Sequence, residues 1–105
     1  MTDYVLRHIN RTRIISLFRH KLIVWKTVLR ENAESRVDAT IMMTDNALFY
    51  GQALGYLNSI SDYLPDYEID LLQAELDNAR EENNRRVNNY VNYYKYMPKP
   101  RVIDK

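Results

Sequence analysis

With 105 residues, 46% of them hydrophobic and 28% charged, the chain has room for one domain with a modest core and not for two, and its composition argues against wholesale disorder. No cysteine is present, which excludes disulfides, thiol catalysis and thiolate metal sites. The net charge of +1 hides a segregation: residues 1–30 carry seven Lys/Arg against Asp3, residues 31–84 carry twelve acids against Arg36 and Arg80, and residues 85–105 carry six Lys/Arg against Asp104. Such a basic–acidic–basic order suits either self-complementary packing or basic ends that hold an anionic partner.

Neither glycine nor proline occurs before Gly51, which favours long helices over hairpins. A first helix is expected from Thr2 or Asp3 to about Ala33. Ile14, Leu17, Phe18, Leu22, Trp25, Val28 and Leu29 make its apolar face, with Arg19, Lys26 and Arg30 opposite. Val5, Leu6 and Ile9 fall on the other side of the wheel, so either the helix breaks near Asn10–Thr12, where a cap is available, or its first turns meet a different surface; the break is the expectation. Arg19, His20 and Lys21 interrupt the only early apolar run, which leaves no evident signal segment. The longest uncharged stretch, Asn46–Ser61, falls short of the ~20 apolar residues of a membrane span. A soluble cytoplasmic protein is the expectation.

Ser35-Arg-Val-Asp38 has capping-box spacing with Asp in place of Glu or Gln, and predicts a second helix that ends at Leu64, before Pro65. Its expected inward face is Ala39, Met43, Ala47, Tyr50, Leu54, Leu57 and Leu64. Phe49, Tyr56 and Tyr63 form a second apolar line almost opposite, and Ala47, Gly51, Gly55 and Ser59 a third line of small residues. A helix with apolar or small residues on several sides is expected to be contacted on several sides, as the central helix of a bundle or an oligomer would be. Gly51 and Gly55 each cost about 1 kcal/mol in a helix interior, and close approach of another backbone would offset that.

The third helix carries the clearest pattern in the chain. Ile69, Leu72, Leu76, Ala79, Asn83, Val87, Tyr90, Tyr94 and Met97 alternate spacings of three and four, which keeps them on one face from about Pro65 to Met97. That length is roughly 50 Å at ~1.5 Å per residue. Pro65 suits the first helical turn, and Asp66, Glu68 and Asp70 complement the helix dipole. Glu75 and Glu82 flank the stripe, where basic side chains of helix 1 could pair with them. Asn83 sits within the stripe; a buried Asn sets register, but the polar run around it favours a seam already emerging into solvent. Pro98 and Pro100 end the helix.

These elements give an all-α, elongated, three-helix up–down–up bundle with a long overhanging C-terminal helix, as an oligomer. Residues 1–97 form one helical domain and 98–105 an extended tail.

Arg85, Arg86, Asn89, Tyr93 and Tyr96 are the candidate partner-binding residues. They share one flank of helix 3, followed by Lys95, Lys99 and Arg101. Tyr and Arg are enriched where proteins bind one another, and the same types can hold phosphates and stack on bases. Arg19, Lys26 and Arg30 are candidate anion-binding residues. His8 and His20, twelve apart without cysteine, do not suit a metal site, and Asp62, Asp66, Glu68 and Asp70 are explained by helix capping. No phosphate loop or nucleophile elbow is present, so neither catalysis nor a cofactor is expected. The expected function is that of a non-enzymatic helical binding protein, an inhibitor, scaffold or adaptor, that docks onto another protein as a homo-oligomer. The alternative is nucleic-acid or nucleotide binding through the Arg/Tyr end of helix 3 and the basic face of helix 1.

Overall fold

A computed structural model of the chain describes residues 2–96, with side chains from Asn10 onward. Three helices run up, down and up: α1 (Thr2–Glu34), α2 (Ala39–Ile60) and α3 (Asp66–Tyr94), with one 3-10 turn at Ser61–Tyr63. The bundle measures 70 × 25 × 17 Å with a radius of gyration of 18.1 Å, well above the roughly 13 Å of a compact chain of about 100 residues. The core is Phe18, Trp25 and Leu29 of α1, Met42, Ala53, Leu57 and Ile60 of α2, Leu64, and Leu72, Leu76, Val87 and Tyr90 of α3.

The α3 stripe lies inward along its described length, from Ile69 to Tyr94. α3 ends at Tyr94 rather than Met97, and its last turn is braced by the α1–α2 turn: Tyr90 Oη donates to the Val37 carbonyl at 2.5 Å and Tyr94 Oη to Asp38 Oδ2 at 3.4 Å. Met97 and the expected tail 98–105 lie outside the described residues. Pro65 is the N-cap, one position earlier than expected.

Several expectations about α1 and α2 are corrected. α1 is continuous through Asn10–Thr12, because no Gly or Pro interrupts its backbone hydrogen bonds and Arg11 is held by Glu68 and Tyr67. Leu17 is exposed, forming a wall of an open groove of about 740 Å³ beside Ile60, Tyr63 and Pro65. The N-cap of α2 is Asp38, whose carboxylate accepts from the Thr40 amide at 2.8 Å, not Ser35. Ser35 and Arg36 instead close α1: Arg36 N–H reaches the Ala33 carbonyl and Val37 N–H the Asn32 carbonyl, each at 3.2 Å. This is the Schellman arrangement, with Arg36 in the left-handed region at φ 55°, where glycine is the usual occupant.

The inward face of α2 agrees with the expected one in part: Leu57 and Leu64 are buried and Tyr50 and Leu54 pack against the core, but the N-terminal half turns differently. Met42, Ala53, Leu57 and Ile60 are buried, with Phe49 and Tyr56 packed against them, while Met43 and Ala47 face out. The regular helix stops at Ile60. The reason is polar as well as apolar. Asn32 Nδ2 donates to Asp45 at 2.8 Å, and the Trp25 indole N–H to Asn46 Oδ1 at 2.9 Å; Asn46 Nδ2 donates onward to Asn84 Oδ1 at 2.8 Å. Burying Trp25 requires that indole partner, and the chain Trp25–Asn46–Asn84 ties all three helices at one level. Asn83, expected at the water boundary, is 2% exposed. α1 still covers α3 at that height through Leu22 and Lys26, and Arg86 Nη1 donates to Asn83 Oδ1 at 3.0 Å.

The tyrosine brace makes stability sensitive to alkali. The pKa of Tyr90 is raised above the ordinary 10.0 by burial, then by Tyr94 and Asp38, with Arg36 opposing; that of Tyr94 is raised by burial and Asp38. A group with a higher pKa in the folded chain contributes its full stability below its unfolded pKa and loses it as pH rises through the folded value. The melting temperature is therefore expected to hold to about pH 9 and to fall beyond about pH 10. Tyr90→Phe should make that alkaline fall shallower; thermal melts read by circular dichroism across pH check it, and an identical pH profile in the variant would contradict it.

Candidate functional site

The charged flanks of α1 and α3 meet in a parallel ladder. Arg11 Nε donates to Glu68 at 2.7 Å and its Nη2 to Tyr67 at 2.7 Å; Arg19 grips Glu75 with two bonds of 3.0 and 2.8 Å; Lys26 lies 3.8 Å from Glu82. The glutamates recur every seven residues on α3, opposite cations seven or eight apart on α1. The Arg11 and Arg19 pKa values are raised, first by the hydrogen bonds to Glu68 and Glu75 respectively. Ladder pairs open to water are worth ~0–1 kcal/mol each, so they set the register of α1 on α3 more than they hold the fold.

Of the candidate anion-binding residues, the structure commits Arg19 and Lys26 to this ladder, while Arg30 is exposed. Glu82 links the two candidate sets, since its Oε1 lies 3.8 Å from Lys26 and 3.6 Å from Arg86. Arg85 pairs with Glu81 at 3.3 Å. Both arginines of the α3 flank thus face a carboxylate four residues back on their own helix. Asn89 is exposed, and Tyr93 and Tyr96 are 66% and 85% exposed. Arg86, Asn89 and Tyr93 recur at three and four residues, so they form one strip along the upper end of α3, and Tyr96 follows in the turn just past the helix end.

Sequence reasoning anticipated the pairing of Glu75 and Glu82 with α1. It missed Arg11–Glu68 and two cation–aromatic contacts, Lys21 over Tyr56 at 5.2 Å and Arg80 over Tyr50 at 4.4 Å. The heptad from Glu68 to Glu82 was the available signal for the first. Among the described residues no three His, Asp or Glu side chains gather as metal ligands, and no helix is long and apolar enough to cross a membrane. No family model, curated protein or solved structure matches the chain.

Proposed function

We propose that this is a non-enzymatic helical binding protein of the cytoplasm that docks, as a homo-oligomer, onto another protein through the upper flank of α3. The observation that carries this reading is the strip Arg86–Asn89–Tyr93–Tyr96, in which two large aromatic side chains stand in water beside an arginine already facing a carboxylate. Exposed tyrosines supply large, stiff contact area at low entropic cost. With Arg85 and Arg86 beside Glu81 and Glu82, the strip is less suited to phosphates than to a mixed protein surface.

The triple variant Arg86→Ala/Tyr93→Ala/Tyr96→Ala should keep the helical circular-dichroism signal and the oligomeric mass. Its affinity for the protein captured from the native cell should fall by about thirtyfold or more, roughly 2 kcal/mol. Retention on heparin, with log affinity for nucleic acid falling steeply against log salt and about one unit less steeply without Arg86, would replace this reading with nucleic-acid binding. A triple variant that unfolds or dissociates would return these residues to the bundle.

A further inference from the structure

At the lower pole of the bundle, where α1 passes the α2–α3 turn, lies the open groove of about 740 Å³. Ile14 and Leu17 line it from α1, Tyr63 and Pro65 from the turn, and Ile60 from the end of α2; Leu17 is 46% and Tyr63 73% exposed. Its volume falls in the ~300–1,000 Å³ range of clefts that take a small molecule or a short segment. The charged side chains around it are sorted by side. Arg13 stands on the α1 wall, and Asp62 and Asp66 on the turn, as chain neighbours of Tyr63 and Pro65. These three, and Asp70 a turn further along α3, are exposed and form no ion pair among the described residues. Arg11 and Glu68 hold each other.

We propose that this groove receives residues 98–104 of a second copy of the chain, the segment Pro-Lys-Pro-Arg-Val-Ile-Asp that follows the upper end of α3. The proposal rests on the oligomeric half of the function above and names the contact that forms it. Along the segment come two cations, Lys99 and Arg101, then an apolar pair, Val102 and Ile103, then one anion, Asp104, with Lys105 beyond it. Across the groove come two carboxylates, an apolar floor and the Arg13 guanidinium. The two orders match: Lys99 and Arg101 meet Asp62 and Asp66, Val102 and Ile103 cover Leu17, Ile60 and Tyr63, and Asp104 meets Arg13. Pro98 and Pro100 hold φ near about −65°, so less backbone freedom is lost on docking, and proline-rich segments seat on exposed aromatic rings such as that of Tyr63. The segment's own groove is out of reach. α3 has 29 residues, roughly 43 Å at ~1.5 Å per residue, whereas Ile103 extends at most about 25 Å from Tyr96 at ~3.6 Å per residue. The contact therefore joins two copies, upper pole to lower pole, and sets a basic segment on an acidic turn.

Sedimentation equilibrium of the full chain over ~1–100 µM is the test, with at least twice the 12.6 kDa chain mass expected. Leu17→Gln with Tyr63→Ala, at two exposed positions, spoils the groove; Val102→Ser with Ile103→Ser spoils the segment. Each double variant should keep the helical circular-dichroism signal and raise the Kd of self-association about tenfold or more. Mixed one to one, at a concentration where each alone is monomeric, the two variants should associate, because an intact segment then meets an intact groove. An oligomer unaffected by either double variant, or a mixture that stays monomeric, overturns the contact while leaving the oligomer standing. A wild type that stays monomeric throughout overturns both. A monomer that takes up decanoate, and loses it with Leu17→Gln and Tyr63→Ala, assigns the groove to a small amphiphile and overturns the proposal.

Discussion

Trp25→Ala is expected to cost about 3–5 kcal/mol, a large part of the ~5–15 kcal/mol that holds a domain of this size together. Trp25 is fully buried, its ring sits 5.9 Å from that of Tyr50 at 51°, and its indole N–H supplies Asn46 Oδ1. Truncation removes the largest fully buried side chain and at once leaves Asn46 Oδ1 without its donor, so cavity and polar penalties add. At ~4–8 °C per kcal/mol for a chain near this length, the melting temperature should drop by at least about 12 °C. Trp25→Phe separates the two penalties, because it keeps most of the volume and loses only the donor; its cost should be near ~1–3 kcal/mol. A Trp25→Ala melt within a few degrees of wild type would remove Trp25 from the core.

The second large effect is a contrast between neighbours. Leu72 is buried at 2% exposure beside Leu76 and the α2 core, whereas Leu71 is 61% exposed. Leu72→Ala should cost about 2–5 kcal/mol and Leu71→Ala less than ~0.5 kcal/mol, as read from urea midpoints at constant slope. Equal effects at the two positions would mean that α3 is rotated about its axis.

Why α3 was legible throughout and the face of α2 only in part follows from what lies on the far side of each helix. Around the α3 stripe the remaining positions are largely Asp, Glu, Asn and Arg, so only one rotation buries apolar area without burying charge. Around α2 the outward positions mix Ile41, Met43 and Leu48 with uncharged Thr44, Gln52, Asn58, alanine and glycine, so a small rotation of the helix buries no charge and its apolar edge is poorly fixed by pattern. The choice there was made by Asn46 and Asp45, which must reach Trp25 and Asn32, and long-range hydrogen bonds have no period along a sequence. Asn83 was misplaced for a related reason: its polar neighbours suggested water, but the reach of α1 to Glu34 decided its burial. The candidate strip was legible as a pattern from its three-and-four spacing, and the carboxylates beside Arg85 and Arg86 were open to the same reading, since Glu81 and Glu82 stand four residues before them on one helix.

The up–down–up order has a mechanical corollary. α1 begins at one pole of the 70 Å bundle and α3 finishes at the other, with Arg11, Arg19 and Lys26 rising in step with Glu68, Glu75 and Glu82. Tension applied between those poles runs along the helix axes and drags α1 past α3, straining the rungs and the apolar seam together. A hairpin with both ends at one pole instead peels open a turn at a time. The molecule is thus built as a tie rod: stiff when stretched end to end, and far easier to open by a sideways pull that lifts α3 off from its last turn, where Tyr90 and Tyr94 are the first fastenings to give.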